Sequence, residues 1–81
     1  MVLMFLKVEY LLEPSNYFLD NGRLTARLMI KIEDLAWSNG IPTEGQHVEP
    51  IAGTHIWHID DHTIVYEIDD DTLTVLVVKP D

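Results

Sequence analysis

The stretch HIWHIDDHTIVYEIDDDTLTVLVV, residues 55–78, decides the fold. Its apolar residues recur at every second position, which is the period of a strand with one buried face. Two acidic segments, Asp60-Asp61-His62 and Asp69-Asp70-Asp71, interrupt this pattern and are too short for a crossover between parallel strands. The stretch therefore predicts an antiparallel meander of three strands, at about residues 54–59, 63–68 and 73–78.

A helix is predicted ahead of the meander, over residues 23–38. Its apolar residues recur at helical spacing and form one face, made of Leu24, Leu28, Ile32 and Leu35. Asn39-Gly40 predicts the end of the helix, because either residue adopts the left-handed conformation of a C-cap. We expect this face to be buried against alternating strand residues, namely Trp57, Ile59, Ile64, Tyr66 and Ile68.

The remaining segments have weaker patterns. Val2–Leu12 reads as a strand that Pro14 ends, since proline cannot donate to a strand ladder. Residues 17–19 predict a short helical turn, and residues 40–53 predict a loop because they contain glycines and prolines without periodicity. We therefore predict one α+β domain over residues 1–81. Its antiparallel sheet carries the N-terminal strand and the meander, and its helix covers one face.

Composition limits the possible functions. Five Lys and Arg residues against fourteen Asp and Glu residues give a net charge of −9, which repels phosphate backbones and argues against a DNA-binding protein. The absence of cysteine excludes disulfides and thiolate chemistry. The apolar N-terminus is interrupted by Lys7 and Glu9 and lacks the pattern of a signal peptide or membrane span. We expect a soluble cytoplasmic protein without a membrane partner.

The segment from Leu28 to Asp81 contains several motifs in a recognisable order: Ile32 and Leu35 on the helix, Ile51 and Gly53 in a loop, Trp57 and Ile59, Ile64–Ile68, and Leu73–Val78. In order and spacing it resembles the RelE/ParE superfamily of toxin–antitoxin toxins. In that superfamily a helix ending in I..L..nP is followed by a glycine-containing loop and by strands of the W.I, I.YEI and L.VL.V types. The resemblance implies a RelE-like mRNA interferase fold.

The resemblance also implies an activity, since members of the superfamily cleave mRNA on the ribosome or inhibit gyrase and are silenced by an antitoxin. Cleaving members carry arginines on the sheet strands, where this chain has His58 and the pair His62-Thr63. Such members also carry several basic residues after the last strand. In this chain Lys79 is the one counterpart of those residues. We therefore predict a toxin-fold protein with weakened or lost ribonuclease activity that acts through protein contacts.

Two alternatives remain open. The chain is an active ribosome-dependent endoribonuclease if His58 and His62 act as acid and base and Lys79 contacts phosphate. It is a stand-alone structural or oligomerising domain if the resemblance concerns the fold only. The spacing of His58, His62 and one aspartate also suits a metal site, but polar strand residues that face solvent are the favoured interpretation. We predict no cofactor and no metal.

A basic stripe, defined as Arg23, Arg27 and Lys31, follows one side of the predicted helix. It suits an acidic partner, either an antitoxin-like protein or a second copy in a homodimer. The favoured alternative is structural: the stripe is the solvent face of the helix, or it pairs with carboxylates of the chain itself, for which Asp20, Asp34 and Glu67 are the candidates. The nearly continuous apolar residues up to Leu6 also favour a partner, because a strand exposed on both faces invites cover.

Overall fold

The computed structural model of the chain describes residues 5–81, with the backbone alone for residues 49 and 50. Within these residues two helices cover one face of a five-stranded sheet. The elements in chain order are β1 (Lys7–Tyr10), α1 (Leu12–Asp20), α2 (Gly22–Trp37), β2 (Gln46–Ile51), β3 (Thr54–Ile59), β4 (His62–Asp69) and β5 (Thr72–Pro80). The strand order in the sheet is β1-β5-β4-β3-β2. The predicted α+β class is confirmed, but the strand layout differs from the prediction.

The meander of β3, β4 and β5 forms as predicted. Both of its strand pairs are antiparallel. The first turn consists of Asp60 and Asp61, whose φ angles of 51° and 58° are those that a two-residue type I′ turn requires. Aspartate tolerates this left-handed conformation better than most side chains do. The second turn consists of Asp70 and Asp71, since Asp69 pairs with Thr72.

Strand β1 pairs with β5 in parallel, with Val8 opposite Leu73 and Tyr10 opposite Val75. The prediction of a purely antiparallel sheet is therefore wrong. Helices α1 and α2 carry the chain from β1 at one edge of the sheet to β2 at the other edge, and the strands that follow return to place β5 beside β1. A parallel pair requires a long connection of this kind. The strand ends at Tyr10 rather than Leu12, and residues 2–4 of the predicted strand lie outside the described residues.

Helix α1 replaces the predicted short turn at residues 17–19 and begins five residues earlier, at Leu12. Pro14 is the third helical residue. A proline is tolerated in the first turn because the N–H groups there have no intrahelical acceptor. The side-chain amide of Asn21 donates to the carbonyl of Tyr17 at 2.9 Å and closes the end of the helix. The prediction failed because Pro14 was interpreted only as the end of a strand.

Helix α2 is confirmed to within one residue at each end. Its C-terminus is a Schellman motif, in which Asn39 has a φ of 59° and the N–H of Gly40 donates to the carbonyl of Leu35 at 2.8 Å. Gly40 itself has a φ of 79°, and a Cβ atom at this position would overlap the Cδ1 atom of Ile68. The glycine therefore both terminates the helix and lets it approach β4.

The buried face of α2 is shifted from the predicted face at its first turn. Leu28, Ile32 and Leu35 are buried as predicted, but Leu24 is 79% exposed. The neighbouring Thr25 is buried instead, with its hydroxyl donating to the carbonyl of Asn21 at 2.8 Å. Both positions suit the buried face of the helix by their spacing from Leu28. The internal hydrogen bond lets the threonine be buried with its hydroxyl satisfied. The prediction for Leu24 is wrong.

Strand β2 lies inside the predicted loop of residues 40–53. It forms the edge of the sheet next to β3, and its register is irregular between Val48 and Ile51. Ala52 and Gly53, with φ angles of 53° and 81°, make a third two-residue turn, which leads from β2 to β3. An edge strand with a proline and a bulge shows little alternation of apolar and polar residues. The sequence pattern therefore did not predict this strand.

The two faces of the sheet differ in burial. The helix-side face contains the strand part of the core: Trp57, Ile59, Ile64, Tyr66, Leu73, Val75 and Val78. Ile68, also predicted in the core, is partly buried. The opposite face, which we call the open face, carries the half-buried row of Ile56, Val65 and Val77. None of the helices within residues 5–81 is both long and apolar enough to cross a bilayer.

Candidate functional site

Three side chains share one row across the open face. The register places His58 of β3 opposite Thr63 of β4, and Thr63 opposite Lys79 of β5. Partner residues in antiparallel strands project from the same face, so these side chains are neighbours. Two of the three predicted catalytic residues, His58 and Lys79, are therefore brought onto one surface.

A hydrogen-bonded chain connects His58 to a carboxylate. The hydroxyl of Thr63 donates to Oδ1 of Asp81 at 2.5 Å, and Nδ1 of His58 lies 3.1 Å from the same hydroxyl oxygen. Because the single hydroxyl proton is given to Asp81, Nδ1 of His58 is assigned as the donor to Thr63. This tautomer leaves Nε2 of His58 as a proton acceptor, which is the state required of a general base.

A shallow cleft of about 350 Å³ lies beside His58. It is lined by Glu44, Gly45, Gln46, His58, Ile59, Asp60, Asp61 and Asp81. Every charged residue in this lining is acidic, apart from the titratable His58. Lys31 pairs with Glu44 and Asp60, and the remaining negative charge of Asp61 and Asp81 disfavours the approach of a phosphate group.

His62 lies on the other face of the sheet. It is opposite Ile59 in the register, and its ring contacts helix α1. Nδ1 donates to the carbonyl of Asp60 at 2.7 Å, and Nε2 lies 2.8 Å from the hydroxyl of Tyr17, from which it accepts. Both ring nitrogens are thus engaged, and the sheet separates them from His58. The structure does not bring His58 and His62 together.

The basic stripe of α2 is divided in the structure. Lys31 makes both of the salt bridges found in residues 5–81, to Asp60 at 3.1 Å and to Glu44 at 3.5 Å. These partners differ from the predicted Asp20, Asp34 and Glu67, because Lys31 lies over the β3–β4 turn rather than along its own helix. Arg23 and Arg27 are exposed.

A second cluster was missed by the sequence analysis. The rings of His55 and Tyr66 stack at 4.7 Å with an angle of 5°, and the ring of His47 lies beside that of His55. Burial, and secondarily the charge of nearby His47, lowers the pKa of His55. Burial raises the pKa of Tyr66 to about 12. The cluster was missed because His47 was assigned to a loop.

The fold matches that of a solved structure and supports the RelE-like fold that the resemblance implied. Among solved structures, the chain is similar to the YoeB dimer from Staphylococcus aureus, with a TM-score of 0.66 and 15% sequence identity. The match covers 94% of this chain and 97% of that chain. At this identity the likeness establishes the fold alone. No protein-family model and no curated protein matches the sequence.

Proposed function

We propose that this chain is a toxin-fold protein of a toxin–antitoxin type that acts through protein contacts in the cytoplasm, with weakened or lost ribonuclease activity. The acidic lining of the cleft beside His58 carries this proposal. Cleavage of RNA develops negative charge on phosphate, and enzymes stabilise that charge with cations. Here the cleft is lined by Asp60, Asp61 and Asp81, and neither lysine nor arginine is among its lining residues.

The helical layer supports the part of the proposal that concerns protein contacts. Leu19 and Leu24 are each 79% exposed, and a groove of about 160 Å³ lies between Tyr10, Ser15, Phe18, Leu19 and Met29. Exposed apolar groups of this kind are typical of interaction surfaces. Arg23 lies next to Leu24 and, together with Arg27, suits an acidic antitoxin-like chain. A homodimer is the other partner considered, and the similar YoeB structure is a dimer.

Induced expression in a bacterial host tests the proposed loss of activity. We expect normal growth and an unchanged pattern of mRNA 5′ ends, both for the wild type and for His58→Ala. Growth arrest with new mRNA ends that disappears in His58→Ala, but not in His62→Ala, would contradict the proposal.

That contradicting outcome defines the second candidate function, an endoribonuclease. The chain of His58, Thr63 and Asp81 favours it, because this chain orients His58 with Nε2 free to accept a proton. Lys79, on the same row, is the phosphate contact in this case. Because His62 lies on the other face of the sheet, the leaving oxygen would in this case take its proton from water or from the ribosome.

Light scattering over a range of concentrations tests for a partner. We expect the wild type to form a dimer as its concentration rises, or to bind an acidic antitoxin-like peptide. The double variant Arg23→Glu/Arg27→Glu should weaken peptide binding and leave the unfolding midpoint unchanged, since both arginines are exposed. A wild type that stays monomeric and ignores acidic peptides would refute the proposed contacts.

A further inference from the structure

His47 of β2 and His55 of β3 touch through their ring nitrogens. Nε2 of His47 lies 2.9 Å from Nδ1 of His55. The register places His47 opposite Trp57, so the two histidines lie diagonally across neighbouring strands on the helix-side face. This histidine pair is therefore separated by the sheet from His58 and from the open-face cleft.

A rigid platform orients the histidine pair. The ring of His55 lies flat on that of Tyr66, and the ring of His47 is inclined by only 11° to that of His55. Tyr66 is fully buried, and its hydroxyl donates to the carbonyl of Gly40 at 2.8 Å. A ligand that binds the pair therefore immobilises little additional side chain, which favours binding.

The separation of the two nitrogens suits a shared metal ion. In the hydrogen-bonded pair one imidazole donates a proton to the other. Two imidazole nitrogens that bind one ion at about 2.0–2.1 Å lie about 2.9–3.4 Å apart, for coordination angles between 90° and the tetrahedral angle. The observed 2.9 Å falls within this range. An ion can thus replace the shared proton through rotation of the exposed His47 ring, while the ring of His55 stays stacked on Tyr66 and the strands do not move.

We propose that His47 and His55 form a binding site for a divalent transition-metal ion, with both imidazoles as neighbouring ligands. The proposal does not depend on the proposed function. His47 is exposed and His55 is half-buried, so an ion reaches the pair from solvent. The net charge of −9 raises the concentration of cations near the surface.

The donor set determines which ions bind. Imidazole nitrogens prefer copper, nickel and zinc to magnesium and calcium, which take oxygen ligands. Within the described residues no group of three or more His, Cys, Asp or Glu side chains converges, so water completes the coordination. The expected order is Cu²⁺ ahead of Ni²⁺ and Zn²⁺, with no binding of Mg²⁺ at this pair.

A bound ion stabilises the pairing of β2 with β3 at the edge of the sheet. Strand β2 is an edge strand whose ladder with β3 is interrupted between Val48 and Ile51. One ligand comes from each of these two strands, so the ion cross-links them where hydrogen bonding is weakest. Because the unfolded chain does not hold the two rings together, metal binding shifts the equilibrium towards the folded state.

Calorimetric titration with CuCl₂, NiCl₂, ZnCl₂ and MgCl₂ tests the proposal, combined with thermal unfolding at each ion concentration. We expect one Cu²⁺ per chain at this site and a rise in the unfolding temperature. In His47→Gln and His55→Gln the Cu²⁺ affinity should fall by at least about tenfold and the thermal shift should disappear. The matched control is His58→Gln, which removes a strand histidine from the opposite face and should retain both effects.

Equal loss of Cu²⁺ binding in all three variants would overturn the proposal, as would unchanged binding in His47→Gln and His55→Gln. A second measurement on the wild type covers the case in which His55→Gln fails to fold. Substoichiometric Cu²⁺ should broaden the imidazole proton NMR signals of His47 and His55 before those of His58 and His62. Simultaneous broadening of all four would show scattered binding and refute the site.

Discussion

Tyr66 connects three parts of the molecule through a single side chain. Its side chain is fully buried in the core. Its hydroxyl donates to the carbonyl of Gly40, beyond the end of α2, and its ring stacks on that of His55. Alternation along residues 64–68 predicted that Tyr66 would be buried. The acceptor of its hydroxyl was not predictable, because Gly40 approaches only once α2 has packed on the sheet.

We predict that Tyr66→Phe lowers the free energy of unfolding at neutral pH by about 1–2 kcal/mol. The carbonyl of Gly40 loses its donor in a buried position, and an unsatisfied buried group is more costly than a missing exposed one. Chemical denaturation at pH 7 measures the change. Tyr17→Phe, which removes a hydroxyl from a half-buried position, is the matched control and should be destabilised less.

The pH dependence of stability provides an independent prediction. The pKa of Tyr66 is raised from 10.0 to about 12 in the folded chain, so the unfolded chain ionises first. The stabilisation is complete below pH 10 and is lost as the pH rises towards 12, by roughly 2–3 kcal/mol. Tyr66→Phe should remove this part of the alkaline loss. Tyr10, whose pKa is also raised by burial and by Glu33, leaves a smaller dependence. Parallel profiles of stability against pH in the wild type and in Tyr66→Phe would refute the assignment of this alkaline loss to Tyr66.

The number of residues in the β3–β4 turn decides which faces of the sheet His58 and His62 occupy. A two-residue turn at Asp60 and Asp61 pairs Ile59 with His62, which places His58 and His62 on opposite faces. The prediction of nearby histidines treated the turn as three residues long. The open-face row of His58, Thr63 and Lys79 follows from the correct turn. The bond from Thr63 to Asp81 depends on how β5 ends and was not readable from any pattern.

At the scale of elements, the periodic segments were predictable and the aperiodic ones were not. Helix α2 and strands β3 to β5 carry long apolar repeats, and each formed where expected. Strand β2 and helix α1 depend on their neighbours, since β2 is ordered by pairing with β3 and α1 buries Phe18 under the core. The parallel pairing of β1 depends on where the helices and the meander place β5, which is a tertiary property.

The junction between α2 and β4 yields a prediction with an internal control. Gly40 and Gly53 have similar φ angles of 79° and 81°, but an added Cβ contacts Ile68 only at Gly40. Gly53→Ala should therefore lower the free energy of unfolding by about 1 kcal/mol through backbone strain alone. Gly40→Ala should be more destabilising by about 1–2 kcal/mol, because the new methyl group overlaps Ile68.

The double variant Gly40→Ala/Ile68→Val isolates the contact. Valine lacks the Cδ1 atom that the new methyl group meets, so part of the loss in Gly40→Ala should be recovered relative to Ile68→Val alone. Urea denaturation of the four variants measures the coupling free energy. Equal losses in Gly40→Ala and Gly53→Ala would show that α2 does not approach β4 this closely.

At the scale of the whole molecule, charge opposes contact with nucleic acid. The net charge is −9, and Lys31, one of five cationic side chains, is already paired with Asp60 and Glu44. Few other lysine and arginine side chains remain that could replace the counterions of RNA.

We predict weak binding of single-stranded RNA with a shallow dependence on salt concentration. A protein that contacts many phosphates loses affinity steeply as salt rises, in proportion to the number of contacts. Fluorescence anisotropy between about 50 and 200 mM salt measures the slope. Submicromolar affinity with a steep slope would show that a local basic surface, formed by Arg23 and Arg27 or by Lys79, overrides the net charge and would favour the endoribonuclease.

The parallel pairing of β1 with β5 has a consequence for the timing of folding during translation. Residues 7–10 are made early, yet their partner strand, residues 72–80, is made some sixty residues later. Until that strand leaves the ribosome, β1 has no partner in the sheet, although the helices that follow it can already form. Strand β1 is thus the first strand of the sheet to be made, yet it joins the sheet only after the last strand is available.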